Sequence, residues 1–131
     1  MDNGRRVKVL FSGRFDPPHP GHIASVLRLL NKPEVRSVTL VILDYPERDY
    51  PIVYCEKVFS ECLKTHPVEI KVNKTHFGKL THTEWKSFDC DVYAGGNLKV
   101  LRHIEKLGIS VTYTERAFDY SASKYERIVA S

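Results

Sequence analysis

A chain of 131 residues with 42% hydrophobic and 27% charged side chains has the makeup of one ordinary globular domain, and leaves no room for a second. No apolar run approaches the ~20 residues a membrane-spanning helix needs, and no leader is read at the amino end, so the expected location is the cytoplasm. The net charge of +4 suits an anionic small molecule; with the basic residues dispersed along the chain, neither nucleic acid nor membrane is an expected partner.

Val7 to Phe11 is short and β-branched, and reads as the first strand. A Gly- and Pro-rich turn, Ser12 to Gly21, joins it to an amphipathic run beginning at His22. Ile23, Val26, Leu27 and Leu30 give that run the apolar stripe of a helix, and Asn31-Lys32-Pro33 ends it. Ser37 to Leu43 is nearly continuous in apolar character, as a parallel strand covered on both faces must be. The Pro- and Tyr-containing stretch Asp44 to Pro51 then reads as an exposed loop. It follows the carboxyl end of a strand, where open α/β sheets bind ligands.

Cys55, Val58, Phe59, Cys62 and Leu63 mark a second helix, and Val68 to Val72 alternates like an edge strand. Asn73 to Lys86 gives no periodicity and is expected to be loop; with Asp44 to Pro51 it is the expected wall of an acceptor pocket, since such pockets are built from variable loops. Its His76 and His82 match no metal spacing, and Trp85 reads as a core or pocket aromatic. Asp91 to Ala94 is a fourth strand ending in Gly95-Gly96-Asn97. Leu98, Leu101 and Ile104 mark a helix closed by Gly108, and Ile109 to Tyr113 is a fifth strand. A last helix is expected near Ser121 or Ser123, with Tyr125, Ile128 and Val129 inward. Cys55, Cys62 and Cys90 have neither zinc nor disulfide spacing and are expected to be buried thiols. Five strands alternating with helices predict a single α/β domain over residues 1–131, a doubly wound, Rossmann-like parallel sheet with helices on both faces.

The turn before the first helix carries the chemistry. Backbone N–H groups at a helix start favour an anion, and Gly13 and Gly21 would let one approach. Pro17, Pro18 and Pro20 stiffen the turn before anything binds. His19 and His22, three residues apart, project from one face of a helical turn and would converge on one phosphate. The plainer reading has one imidazole capping the helix and the other on the surface; two imidazoles in so constrained a turn favour function.

Gly13, Phe15, Asp16, Pro17, His19, Gly21 and His22 match the G-x-F-D-P-x-H-x-G-H signature, so the chain resembles the nucleotidyltransferase superfamily of cytidylyl- and adenylyltransferases. Its size is similar to that of short members such as the glycerol-3-phosphate cytidylyltransferase-like proteins. The stretch Arg116 to Ser123 also resembles the family's second signature, with Arg116, Ser121 and Ser123 in the Arg, Ser and Thr places. It departs at Ala117, Phe118 and Asp119, and the family's later basic position holds Glu126 with Arg127 one place along.

The resemblance implies attack by an acceptor phosphate on the α-phosphorus of a nucleoside triphosphate, with release of pyrophosphate. It implies Mg²⁺ travelling with the triphosphate and no metal ligand from the protein. His19, His22 and Arg116 would be catalytic, the histidines as imidazolium donors. Ser12, Gly13, Arg14, Phe15, Asp16, Gly21, Ser121 and Ser123 would line the nucleotide site, and Arg48 and Arg127 are candidate phosphate contacts. Gly95, Gly96 and Asn97 could equally be a plain turn with Asn97 as N-cap; the resemblance implies that they face the nucleoside. Asp16 is expected to brace the turn, since an attacking phosphate needs no base. Cytosine is the expected base and CTP the expected donor, with ATP and a phosphorylated acceptor as the alternative, and a nucleotide-binding module without turnover as the other. The resemblance also implies a homodimer.

Overall fold

The computed structural model describes residues 6–74 and 76–114. Five parallel strands, β1 (Val7–Gly13), β2 (Val35–Leu43), β3 (Val68–Asn73), β4 (Val92–Gly95) and β5 (Ser110–Tyr113), form one sheet in the order β3-β2-β1-β4-β5. The chain winds outward from β1 to β2 and β3, then returns to β1's other side for β4 and β5. The order therefore reverses between β1 and β4, and a crevice opens at their carboxyl ends.

Helices α1 (Pro20–Leu30) and α2 (Ile52–Leu63) cover one face; α3 (His82–Ser87) and α4 (Leu98–Lys106), with a 3₁₀ turn at Phe77–Lys79, cover the other. The strand alternation sorts side chains between two cores. Val9 and Phe11 with Leu40 and Ile42 pack against Val26, Leu29 and Phe59, while Leu10, Val41 and Leu43 pack against Phe77, Trp85 and Ile104. Each such large apolar group removed from water contributes roughly 1.5–3 kcal/mol. Gly108, at φ 83°, ends α4 in the left-handed conformation that a glycine adopts without strain.

Three expectations need correcting. The buried face of α1 is Gly21, Ser25, Val26 and Leu29, whereas Leu27 is 39% exposed. The helix starts earlier than its apolar stripe does, and small Gly21 and Ser25 let it sit close on the sheet. Cys62 is exposed while Cys55 and Cys90 are buried, because α2 turns Cys55, Phe59 and Leu63 inward and leaves Cys62 one step off that row. The stretch from Asn73 to Lys86 holds the 3₁₀ turn and most of α3, whose start is fixed by a capping box between Thr81 and Glu84. Trp85 lies in the core. The elements expected beyond Thr114 lie outside the described residues.

Candidate active site

The cleft at the reversal point encloses about 990 Å³, at the upper end of the range for small-molecule sites. Ser12, Gly13, Arg14, Phe15, Asp16 and Gly21 line its floor beside His19 and His22. Gly95, Gly96, Asn97, Lys99 and Thr114 form one side, and Tyr45, His76 and Phe77 the other.

The histidines are built into the helix start. His19 is the N-cap of α1, and its Nδ1 accepts from the Gly21 N–H at 3.1 Å. The His22 Nδ1 reaches back and accepts from the His19 N–H, also at 3.1 Å, a capping box made of two imidazoles. The rings stack with centroids 3.7 Å apart, 24° from parallel. With both Nδ1 atoms accepting, each neutral ring carries its proton on Nε2.

This changes one expectation. The amides of the first turn are not bare: Gly21 N–H is taken by the His19 ring, and His22 N–H by the His19 carbonyl at 3.0 Å. An anion in the cleft would therefore meet the imidazoles rather than open helix-start amides.

The turn before the helix is held from beneath. Phe15 has φ 50°, a conformation that costs a bulky residue about 1–3 kcal/mol and persists only where surroundings over-determine it. Its ring packs edge-on against Phe59 and His22, with centroids 4.9 and 4.7 Å away. Gly13 on the cleft floor also makes room for that ring, from which a Cβ there would lie 2.9 Å.

Arg48 is a brace, not a phosphate contact. Its side chain is 6% exposed and lies off the cleft wall. The guanidinium donates to the carbonyls of Arg14 (2.5 Å), Leu43 (2.9 Å), Phe15 (3.1 Å) and Tyr50 (2.9 Å). Asp16 complements it, accepting from the N–H groups of Asp49 at 2.8 Å and Tyr50 at 2.7 Å, with a carboxylate oxygen 4.0 Å from Arg48. The loop after β2 and the histidine turn are thus one clasped unit.

On the β4 side, Asn97 Oδ1 caps α4 by accepting from Lys99 N–H at 3.0 Å and Val100 N–H at 3.4 Å, and the residue lines the cleft as well. Capping does not take Asn97 out of the cleft wall. Gly96 eases a close approach, since a Cβ there would stand 3.1 Å from the Thr114 carbonyl oxygen. Tyr93 lies beneath, its hydroxyl 2.6 Å from Ser12 Oγ, and burial pushes its phenol up to about 12. Tyr93 and Lys99 were not singled out from the sequence as site residues, whereas Tyr45 and His76 belong to the two loops expected beside the acceptor. Tyr45 follows the carboxyl end of β2, and His76 arrives through the chain's least periodic stretch. There it caps the 3₁₀ turn, accepting from Gly78 N–H at 2.9 Å, and stacks on Tyr45, over which Arg14 also lies.

Arg116, Ser121, Ser123 and Arg127 lie outside the described residues. Among the described residues no three His, Cys, Asp or Glu gather where they could hold a metal ion, and no helix is long and apolar enough to cross a membrane.

No family model and no curated protein matches the sequence. Among solved structures, the chain is similar to a bifunctional NMN adenylyltransferase/ADP ribose pyrophosphatase from Francisella tularensis, complexed with AMP and an Mn ion. The TM-score is 0.65, with 14% identity over 94% of this chain. What the two share is the fold. The chain spans 41% of that protein's length, and the likeness establishes the doubly wound, Rossmann-like α/β architecture expected from the sequence.

Proposed function

We propose that the protein is a nucleotidyltransferase that moves a nucleoside monophosphate from a nucleoside triphosphate to a small phosphorylated acceptor and releases pyrophosphate. The observation that carries this reading is the pair of stacked imidazoles, both tied through Nδ1 to the start of α1, at the reversal point of the sheet. Two imidazoles side by side, with Nδ1 engaged by the backbone and Nε2 as the donor, suit the oxygens of a phosphate whose charge shifts toward the leaving pyrophosphate. They need no reorganisation during the reaction, which is where preorganised donors gain their effect.

In this reading the triphosphate lies along the histidine turn. Gly95, Gly96 and Asn97 face the nucleoside, and Ser12, Gly13, Arg14, Phe15, Asp16 and Gly21 shape the floor. Arg116, Ser121 and Ser123 are assigned to the outer phosphates on the resemblance to the second signature alone, with Arg127, one place off that pattern, as a candidate contact. The acceptor phosphate attacks the α-phosphorus directly; its oxygen is already ionised, so no general base is required, and Asp16 stays in its clasp with Arg48. The resemblance implies Mg²⁺ travelling with the triphosphate, where it would neutralise charge on the phosphate oxygens.

Cytosine rests on chain length and on Arg116 followed by the two serines. Adenine is the second reading, favoured by the AMP bound in the structurally similar adenylyltransferase. A pyrophosphate-release assay crossing CTP and ATP with a panel of phosphorylated acceptors tests both. Turnover with one nucleotide fixes the base, and nucleotide binding without pyrophosphate release from any pair would leave a binding module in place of an enzyme.

A further inference from the structure

Basic residues that are scattered in the sequence meet at the end of the sheet remote from the cleft. Arg6 precedes β1, Arg28 lies in the last turn of α1, Arg36 opens β2 and His66 precedes β3. Because β1, β2 and β3 are parallel neighbours, these four segments end side by side, and their side chains line a second cavity of about 650 Å³. Leu27, Leu30, Val35 and Pro67 supply its apolar surface, and among the described residues no Asp or Glu lines it.

Three guanidinium groups here stand against a net charge of +4 for the chain, so much of the surplus is gathered in one place. Among the described residues, no carboxylate comes within 4.0 Å of any of the three. Arg28 also complements the carboxyl end of α1. Arg6 and Arg36 have no comparable local task among the described residues. Gathered like charges raise the energy of the folded state unless an anion answers them.

We propose that this cavity is a second binding site, for a small molecule carrying two or more phosphate groups. Guanidinium forks pair with phosphate oxygens two bonds at a time, which a scattered set of lysines would not do. The volume falls within the range of small-molecule sites and the apolar wall suits the ligand's non-ionic body. A ligand here would sit beside the carboxyl end of α1, the helix whose amino end holds the histidines. The site is independent of the proposed reaction and stands or falls separately.

The test is a titration of the full chain with inorganic tripolyphosphate, followed by ¹H–¹⁵N NMR at pH 7. The amides of Asn31, Arg36 and His66 should shift and saturate. In the Arg28→Gln/Arg36→Gln variant that response should weaken on the order of tenfold for each lost arginine, while Gly96 and Lys99 in the cleft respond as in the parent protein. Both arginines are exposed, so the fold should survive; if the double variant does not fold, single Arg6→Gln and Arg36→Gln should each weaken binding about tenfold. The proposal is overturned by shifts confined to the cleft, by an equal response in the variants, or by non-saturating shifts spread over the surface. It is also overturned if only an acidic peptide or anionic vesicles, and not tripolyphosphate, saturate the site.

Discussion

His19 has two tasks, and two substitutions separate them. His19→Ala removes the Nδ1 that accepts from Gly21 N–H at 3.1 Å, leaving a helix-start donor without its cap. Loss of an N-cap costs about 1 kcal/mol, and the buried ring also gives up its stacking on His22 at 3.7 Å, so about 1–2 kcal/mol of stability should go. His19→Asn keeps an acceptor suited to the same N–H, and Asn is among the best N-caps, so it should unfold within about 0.5 kcal/mol of the Ala-free parent. Neither variant has an Nε2–H. Both should lose about 10²- to 10³-fold in kcat, the effect of one preorganised donor, equivalent to about 2.7–4 kcal/mol of transition-state stabilisation. Urea melts and pyrophosphate release, run on the three proteins, give both quantities. Asn with near-parental turnover would refute the assigned chemistry, and Ala as stable as the parent would refute the cap.

Arg48→Met should destabilise the fold by about 3 kcal/mol, because it strands Asp16 and several carbonyls. Arg48→Lys should not restore the loss, since an ammonium cannot serve carbonyls on three sides; thermal melts of both check this. Tyr93, raised from 10.0 to about 12 by burial, holds its proton more tightly when folded than when unfolded. Its contribution is therefore intact below pH 10 and drains away as pH climbs toward 12; urea melts at pH 9 and 11 should show this decline shrinking in Tyr93→Phe. Gly96→Ala sets a Cβ 3.1 Å from the Thr114 carbonyl, and should weaken nucleotide binding by calorimetry while costing about 1 kcal/mol in stability. Light scattering tests the homodimer, which rests on the family resemblance; the mass of one chain would refute it.

The strands and the histidine turn were legible because their signals are local. Apolar runs such as Ser37 to Leu43 and the G-x-F-D-P-x-H-x-G-H stretch declare themselves within a few residues. What escaped was set by long-range geometry. Arg48 looks like any loop arginine until the fold brings it to Arg14 and Phe15, over thirty positions away. The phase of α1 was misjudged by its leucines, since Gly21 and Ser25 mark the packed face by smallness, which hydrophobic periodicity does not register. His19 and His22 do meet at the helix start, yet their spacing alone could not say that both Nδ1 atoms would accept from backbone N–H groups of the same turn.

That double use of the rings bears on how relatives of this chain should be compared. Because the same two side chains start a helix and face the cleft, a descendant that had given up turnover would still be penalised for discarding them. Both histidines can therefore outlive the reaction, and their presence is weak testimony that it persists. Asparagine at position 19 is the more telling substitution: it meets the architectural demand and abandons the chemical one.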